Sequence, residues 1–274
     1  MKKKRAGVIG YPVKHSKSPV IHNYWMERYG IDGLYEAVEV ESGNLKTSID
    51  ELISKGFSGF NVTVPHKVAV SELMDEISTA AAKAGAVNTV VIRPDGTLFG
   101  DNTDGFGFVE NVRESCGGFD FSGKTAVVLG SGGAARGICA ALEQSGCAEI
   151  RLVYRTKSKA EDLARLIGGV FGLYEWSDAE RALEGADLLA NATTLGMDGF
   201  DALRLDLKNL DSSAVVADAV YVPLKTGLLK TAGEKGCRTA DGLGMLLHQA
   251  AGAFKAWFGV NPAVTDELRE LVLK

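Results

Sequence analysis

Short apolar runs alternate with helical stretches along the chain, which is typical of an α/β protein with mostly parallel sheets. In the N-terminal part this pattern predicts strands at Ala6–Ile9, Leu34–Val40, Gly59–Val64, Val87–Ile92 and Thr97–Gly100. Helices are predicted between the first three strands, at Pro19–Tyr29 and Leu45–Ser54. Ser18 precedes a proline at the first helical position, so we expect its side chain to cap the first helix.

A second series of buried strands follows the looser segment Cys116-Gly117-Gly118. These strands are predicted at Thr125–Leu129, Ile150–Tyr154, Leu188–Asn191 and Val215–Ala219, with helices between them. A helix from Asp104 precedes the segment, and helices at Leu243–Phe258 and Ala263–Leu273 follow the strands. We expect the last two helices to pack on the N-terminal domain. The domains would then be residues 1–103 with 240–274, and residues 104–239.

Composition limits the classes of partner. The chain has 274 residues, 46% hydrophobic and 24% charged, which is a globular balance that fits two domains. A net charge of −5 and the lack of long apolar runs argue against nucleic acid and membrane as partners. The basic run Lys2-Lys3-Lys4-Arg5 is expected to be a solvated tail. Sparse cysteines without CxxC spacing and scattered histidines favour no bound metal and a reducing, cytoplasmic location.

The strand predicted at Thr125–Leu129 runs directly into Gly130-Ser131-Gly132-Gly133-Ala134-Ala135, and a helix follows. A GxGxxA turn between strand and helix favours a dinucleotide-binding site over a merely tight turn. Gly130 would allow the turn, Gly132 would let the backbone approach a pyrophosphate, and Ala135 would keep helix and strand close. The N–H groups at the helix start would bind phosphate oxygens.

The end of the next strand indicates which dinucleotide binds. Enzymes that use NAD usually carry an acidic residue about 20 residues beyond the glycine turn. Here the corresponding loop carries Arg155, Thr156 and Lys159 instead. A guanidinium group is suited to a 2′-phosphate, so the sequence predicts NADP(H) rather than NAD(H), with a solvated basic loop as the alternative. The cofactor would serve hydride transfer on a small polar substrate.

Polar residues also cluster in the N-terminal part, where the fold does not require them. Ser16 and Ser18 lie beside a helix start, where two hydroxyls could bind a carboxylate. Asn61 and Thr63 would share one strand face, although a strand with one solvated face has the same alternation. Further polar segments are Pro65-His66-Lys67, Gly85-Ala86-Val87-Asn88-Thr89 and Gly100-Asp101-Asn102-Thr103-Asp104-Gly105. Thr103 or Asp104 could instead be a helix cap.

In this order, the segments resemble the shikimate dehydrogenase family over nearly the whole chain. The matching stretches are residues 10–23, 61–67, 85–89, 100–105, the glycine turn, 191–197, 218–221 and 241–250. The resemblance implies reduction of 3-dehydroshikimate to shikimate with NADPH, on the route to chorismate and the aromatic amino acids. It also implies an N-terminal α/β substrate domain with a mostly parallel sheet, a Rossmann-like NADP-binding domain, and C-terminal helices that return to the N-terminal domain.

The resemblance also implies roles for single residues. The catalytic pair would be Lys67 and Asp104, with His15 and His66 as rival proton donors. Substrate-binding residues would be Ser16, Ser18, Asn61, Thr63, Asn88, Thr103, Asp104, Tyr221 and Gln249. Cofactor-binding residues would be Gly130, Ser131, Gly132, Gly133, Ala134, Ala135, Arg155, Thr156, Lys159, Asn191, Ala192, Thr193, Gly242 and Met245. Tyr154 stands where the family usually has Asn.

Three other functions remain as alternatives. A quinate/shikimate dehydrogenase that uses NAD is disfavoured by Arg155 and by the serine pair. A methylenetetrahydrofolate dehydrogenase, which has a related two-domain plan, is disfavoured by the serine pair and by Asn102-Thr103-Asp104. A regulatory protein that binds NADP without catalysis is disfavoured by Lys67 and Asp104. The protein is expected to be a monomer or a homodimer.

Overall fold

The chain forms two compact units in a computed structural model that describes residues 3–274. The first unit contains the chain up to Thr103 together with Gln249–Lys274, and the second is the continuous segment Asp104–His248. Residues 240–248, which the sequence assigned to the first domain, therefore cluster with the second unit. The predicted α/β class is confirmed.

The first unit is built on a six-stranded mixed sheet. Its strands are β1 (Lys4–Gly10), β2 (Gly33–Glu39), β3 (Gly59–Val62), β4 (Glu76–Ile77), β5 (Thr89–Ile92) and β6 (Leu98–Asp101). The spatial order is β2-β1-β3-β5-β6-β4, with β5 antiparallel to both neighbours and the other pairs parallel. The helices that follow its strands are α1 (Ser18–Arg28), α2 (Leu45–Ser54) and α3 (Thr79–Ala84).

Two details of the first unit differ from the expectations. Lys4 and Arg5 belong to β1, and the Arg5 guanidinium lies 3.1 Å from the Glu36 carboxylate of β2. The prediction of a solvated tail is therefore wrong for these two residues, while Lys2 lies outside the described residues. The strand predicted at Gly59–Val64 ends at Val62, and all of its residues are buried.

The second unit is a parallel sheet with helices between its strands. The strands are β7 (Thr125–Leu129), β8 (Glu149–Tyr154), β9 (Phe171–Glu175), β10 (Leu188–Asn191), β11 (Val215–Asp218) and β12 (Arg238–Ala240). The helices are α4 (Asp104–Ser115), α5 (Gly133–Gln144), α6 (Lys157–Ile167), α7 (Ala179–Ala182) and α8 (Gly227–Glu234). Its spatial order, β12-β11-β10-β7-β8-β9, is the doubly wound order of dinucleotide-binding sheets. The direction of winding reverses between β7 and β10, so a crevice is expected at their carboxyl ends.

The C-terminal helices are α9 (Gly242–Phe258) and α10 (Asp266–Leu273). As expected, the part of the chain from Gln249 onwards belongs to the N-terminal unit. The final helix begins later than the predicted Ala263, because the Thr265 side chain accepts a hydrogen bond from the Leu268 N–H and caps it. No helix within residues 3–274 combines the length and the apolar character needed to cross a bilayer.

Candidate active site and cofactor site

In the glycine turn after β7, the structure gives different reasons for the glycines at positions 130 and 132. Gly130 has a φ of +100°, and a Cβ there would lie 2.8 Å from Cγ2 of Thr193. Both the backbone conformation and the close contact therefore require glycine at Gly130. A Cβ on Gly132 would meet nothing within 4 Å. The fold alone does not explain Gly132, and its backbone faces open space where a ligand can approach.

The helix that follows the turn can bind an anion at its N-terminus. Helix α5 begins at Gly133, and its N-cap, Gly132, provides no side-chain hydrogen bond. The first N–H groups of a helix lack intrahelical acceptors and carry partial positive charge. Ala135 is fully buried, as expected for a residue that holds the helix close to the strand. The segment from Gly130 to Ala135 thus forms the strand–turn–helix unit that the sequence predicted.

The turns after β7, β8 and β10 meet at one edge of the sheet. The Gly130 N–H donates to the Val153 carbonyl at 2.8 Å, and the Ala192 N–H donates to the Leu129 carbonyl at 3.0 Å. Asn191 fixes the third turn, because its Oδ1 accepts from the Thr193 N–H at 3.1 Å and from the Thr193 hydroxyl at 2.7 Å. The structure therefore brings the glycine turn together with the predicted Asn191-Ala192-Thr193 turn.

The basic loop after β8 lies beside a cavity. Arg155 lines a space of about 330 Å³ together with Trp176 and Leu195. Thr156 precedes α6 and Lys159 lies in its first turn, and both side chains are exposed. The Arg155 guanidinium has no hydrogen bond or ion pair with any residue of the described chain, so it is available to a ligand. This placement agrees with a role at the adenosine end of a dinucleotide.

The start of α9 packs closely against the turn after β11. A Cβ on Gly242 would lie 2.6 Å from the Ala219 carbonyl oxygen, so this contact alone explains the glycine. Met245 is buried one turn further along α9. Tyr221 follows the same turn, and partial burial raises the pKa of its hydroxyl. Gly242, Met245 and Tyr221 are therefore all placed within the second unit, near the end of β11 or on α9.

In the first unit, the Asn61 side chain is fixed by three hydrogen bonds. Asn61 lies on β3 and is 5% exposed. Its Oδ1 accepts from the Tyr35 hydroxyl at 2.7 Å, and its Nδ2 donates to the Asn88 carbonyl and the Thr89 hydroxyl, each at 3.1 Å. The alternative of a strand with one solvated face is therefore excluded for Asn61. A buried amide held in this way has a defined orientation, as a binding residue requires.

The Asn88 side chain is hydrogen-bonded to two other predicted substrate-binding residues. Its Oδ1 accepts from the Thr103 N–H at 2.9 Å, and its Nδ2 donates to the Thr103 hydroxyl at 3.1 Å and to Gln249 Oε1 at 3.4 Å. Asn88, Thr103 and Gln249 thus form one buried polar group in the first unit. Asp104 follows Thr103 directly, is the first residue of α4, and is 5% exposed.

The start of α1, near Ser16 and Ser18, differs from the capping arrangement that the sequence predicted. Lys17, and not Ser18, occupies the N-cap position of α1, and no side chain of the described chain caps it. Ser18 begins the helix, and its N–H donates to the Ser16 hydroxyl oxygen at 3.3 Å. The prediction that Ser18 caps the helix is therefore wrong, because Ser16 accepts the hydrogen bond at the helix start. The Ser18 side chain is buried, and it offsets in part the rise that burial causes in the pKa of the Tyr35 hydroxyl.

In the segment after β3, the two rival proton donors His66 and Lys67 have different environments. His66 is 2% exposed, and its Nε2 lies 2.6 Å from the Val40 carbonyl oxygen. A ring nitrogen held by a buried carbonyl is a poor candidate for proton transfer to a ligand. The Lys67 carbonyl accepts from the Val87 N–H at 2.7 Å, which anchors the backbone, and its side chain is partly exposed. Thr63 lies just past the strand and is partly exposed.

Sequence reasoning missed Tyr35 as a part of this polar network, and it named Thr89 only within a polar segment, without a role. Tyr35 is fully buried on β2, and burial raises the pKa of its hydroxyl, with the Ser18 side chain offsetting this only in part. A tyrosine at an inward position of a strand needs a partner for its hydroxyl, and this rule could have identified it. Thr89 is fully buried and donates to Asn88 Oδ1 at 2.9 Å.

Comparison with known proteins gives the family. Residues 8–90 match the shikimate dehydrogenase substrate binding domain, residues 111–196 match shikimate/quinate 5-dehydrogenase, and residues 242–273 match the shikimate 5′-dehydrogenase C-terminal domain. The shikimate dehydrogenase (NADP(+)) of Paramagnetospirillum magneticum is 50% identical over 272 residues, which is 99% of each chain. The chain belongs to the shikimate dehydrogenase family.

Solved structures of this family have the same fold. Shikimate 5-dehydrogenase from Thermus thermophilus, in complex with NADP(H) and shikimate, is 36% identical with a TM-score of 0.87, and 98% of each chain is covered. Quinate dehydrogenase from Corynebacterium glutamicum, in complex with NAD, is 32% identical with a TM-score of 0.90, and 99% of each chain is covered. Shikimate dehydrogenase relatives thus include proteins solved with either nicotinamide cofactor.

Proposed function

We propose that the chain catalyses the reversible, NADPH-dependent reduction of 3-dehydroshikimate to shikimate, on the route to chorismate and the aromatic amino acids. The observation that carries this proposal is the identity of 50% with an NADP(+)-dependent shikimate dehydrogenase, extending over 99% of both chains. The buried amide and hydroxyl groups of the first unit support it, because a polyhydroxylated ring acid needs such donors and acceptors. The reaction makes the protein an oxidoreductase that acts on a CH–OH group.

The cofactor-binding residues fit NADP. The open space beside Gly132 and the uncapped start of α5 suit a pyrophosphate, and Arg155 suits a 2′-phosphate. When bound, NADPH supplies the hydride for the carbonyl carbon. The proposed binding set is Gly130, Ser131, Gly132, Gly133, Ala134, Ala135, Arg155, Thr156, Lys159, Asn191, Ala192, Thr193, Gly242 and Met245.

The chain itself must supply the proton and the orientation of the substrate. Lys67 is proposed to polarise the carbonyl oxygen and to donate the proton, since an ammonium group carries donors only. Asp104 is proposed to accept a hydrogen bond from a ring hydroxyl and to orient the lysine. His66 is less suitable than Lys67, because its ring is held by the Val40 carbonyl.

The remaining polar groups are proposed to select the substrate. Ser16 and Ser18 lie at the start of α1, where two hydroxyls and the helix dipole favour the carboxylate. The proposed partners of the ring hydroxyls are Asn61, Thr63, Asn88, Thr103, Tyr221 and Gln249. Asn61 and Asn88 are already oriented by neighbours within the protein, so little side-chain entropy is lost when a substrate binds.

An absorbance assay at the NADPH band tests this function. Shikimate and quinate are each supplied with NADP and with NAD, and initial rates are compared. We expect shikimate with NADP to give the highest kcat/KM. Preference for quinate with NAD would identify a quinate dehydrogenase instead, as in the Corynebacterium relative. A protein that binds NADP but oxidises neither compound would be a regulatory binding protein.

We also propose that the enzyme works in the cytoplasm. All four cysteines are free thiols, which suits a reducing compartment. Burial raises the pKa of the Cys147 thiol to about 11, so this half-buried group stays protonated and unreactive at neutral pH.

A further inference from the structure

The cavity beside Arg155 contains a second arginine from another part of the chain. Arg204 belongs to the irregular segment between β10 and β11, and it lines the same space of about 330 Å³. The other lining residues are Trp176, Leu195, Asp201 and Ala202. All of them belong to the second unit, so the cavity is complete within one compact body.

Arg155 and Arg204 differ from the other arginines of this unit. Within the described chain neither guanidinium makes a hydrogen bond or an ion pair. The other arginines do have partners: Arg113 pairs with Glu110, Arg151 with Glu149, Arg165 with Asp162 and Arg181 with Asp178, while Arg238 donates to the Cys116 carbonyl. Arg136 is also engaged with the rest of the chain. Two like charges that line one cavity repel each other when neither is paired with a carboxylate, and an anionic ligand would relieve this repulsion.

We propose that Arg204 is a second phosphate-binding residue of the cofactor site, and that together with Arg155 it binds the 2′-phosphate of NADP. A phosphate ester offers several acceptor oxygens, so it can receive two guanidinium groups at once. Arg204 would thereby contribute to the selection of NADP over NAD. This inference depends on the proposed function only for its choice of ligand.

The rest of the cavity suits the adenosine that carries this phosphate. Trp176 and Leu195 supply apolar surface, on which a base can pack. Asp201 brings a carboxylate into the same cavity, and neither arginine pairs with it. A carboxylate would repel a free phosphate but can accept a hydrogen bond from the amino group of adenine. The cavity therefore fits a phosphorylated adenosine better than inorganic phosphate.

Calorimetric binding measurements with Arg204→Leu test the proposal. The ligands are adenosine 2′,5′-bisphosphate, adenosine 5′-monophosphate and inorganic phosphate, followed by NADP and NAD. Loss of a charge-assisted contact should weaken the bisphosphate and NADP by roughly tenfold to a hundredfold, and AMP and NAD less than about twofold. Arg204→Lys should restore part of the loss. The control is Arg165→Leu, which removes an exposed arginine of the same unit and should leave every affinity unchanged.

Three results would overturn the proposal. Unchanged binding of the bisphosphate by Arg204→Leu would place Arg204 outside the site. Equal losses for AMP and the bisphosphate would assign it to the 5′-phosphate or the base. Inorganic phosphate binding as tightly as the bisphosphate would mean a general anion site. Because none of these measurements uses shikimate, a wild-type protein that binds the bisphosphate but fails to oxidise shikimate would contradict the proposed function alone.

Discussion

At the scale of single residues, Tyr35 links two parts of the proposed substrate site. Its hydroxyl donates to Asn61 Oδ1 at 2.7 Å, and the Ser18 side chain influences the pKa of the same hydroxyl. Ser18 is proposed to bind the carboxylate, and Asn61 a ring hydroxyl. Tyr35 is itself fully buried, so it acts as a positioning residue for both.

We therefore expect Tyr35→Phe to raise the KM for shikimate more than it lowers kcat. The change leaves Asn61 Oδ1 without its donor and should cost about 1–3 kcal/mol of stability. Steady-state kinetics and urea unfolding measure the two effects. Tyr24→Phe is the matched control, since the Tyr24 hydroxyl bonds to Glu267 at the surface. A Tyr35→Phe enzyme of lower stability but normal KM would show that Tyr35 has only a structural role.

Lys67 carries a different residue-scale prediction. If its ammonium donates the proton, Lys67→Ala should lower turnover by about 10²–10⁴ with a modest change in KM. The matched control is Lys46→Ala, which removes a surface lysine paired with Asp50. Rates from the NADPH absorbance assay decide the result. A Lys67→Ala enzyme with near-normal turnover would eliminate the proposed role.

At the scale of elements, the turn between β7 and α5 contains one glycine that the fold requires and one that the fold does not require. Gly130 is required by its positive φ and by its contact with Thr193, both of which are present without a ligand. Gly132 has a φ of −83° and free space around it, so an alanine fits there in the absence of cofactor.

Alanine at these two positions should consequently affect different properties, NADP binding at Gly132 and stability at Gly130. Gly132→Ala should change the free energy of unfolding by less than about 1 kcal/mol while it strongly weakens NADP binding. Gly130→Ala should cost about 1–3 kcal/mol of stability, because alanine rarely adopts this backbone conformation. Thermal unfolding and cofactor titration measure both. Normal NADP affinity in Gly132→Ala would contradict the assignment of the pyrophosphate to this turn.

The sequence predicted the central strands of the second unit well, because β7 and β10 are almost entirely buried and β8 ends in the buried apolar run of residues 152–154. It missed β9 and β12. Residues of the edge strand β9 are exposed or half-buried, and β12 has three residues, so neither has a recognisable apolar period. Lys67 and Asp104 could be named only through the family resemblance. Tyr35 escaped because its partner Asn61 lies 26 residues away, and non-local pairs leave no local pattern.

At the scale of the whole molecule, the core of the first unit depends on both ends of the described chain. His22 of α1 stacks on Tyr35 with ring centroids 4.1 Å apart, and on Phe254 of α9 at 6.0 Å. Trp25 and Trp257 complete this aromatic cluster. Burial lowers the pKa of His22 to about 3, and the Asn61 side chain offsets this only in part. Neither ring nitrogen of His22 has a hydrogen-bond partner within the described chain.

This histidine makes the stability dependent on pH. The unfolded chain binds a proton at His22 below about pH 6.5, whereas the folded chain does so only near pH 3. The contribution of neutral, buried His22 to the free energy of unfolding is thus fully present above pH 6.5 and is lost as pH falls towards 3. Between pH 7.5 and 4.5 the loss should be about 2–3 kcal/mol. Urea unfolding at both pH values should give a smaller difference for His22→Phe, and an equal difference would contradict this explanation.

The division of the first unit between two separated segments has a consequence for protein synthesis. The Trp257 indole donates to the Val90 carbonyl at 2.9 Å, and Phe254 packs in the aromatic cluster around His22. These contacts cannot form until the segment after His248 has left the ribosome. The second unit is one continuous stretch and can fold earlier. The first unit is therefore synthesised in part before the second unit but can finish folding only after it. Until then the apolar surface of the first unit stays exposed to solvent and to chaperones.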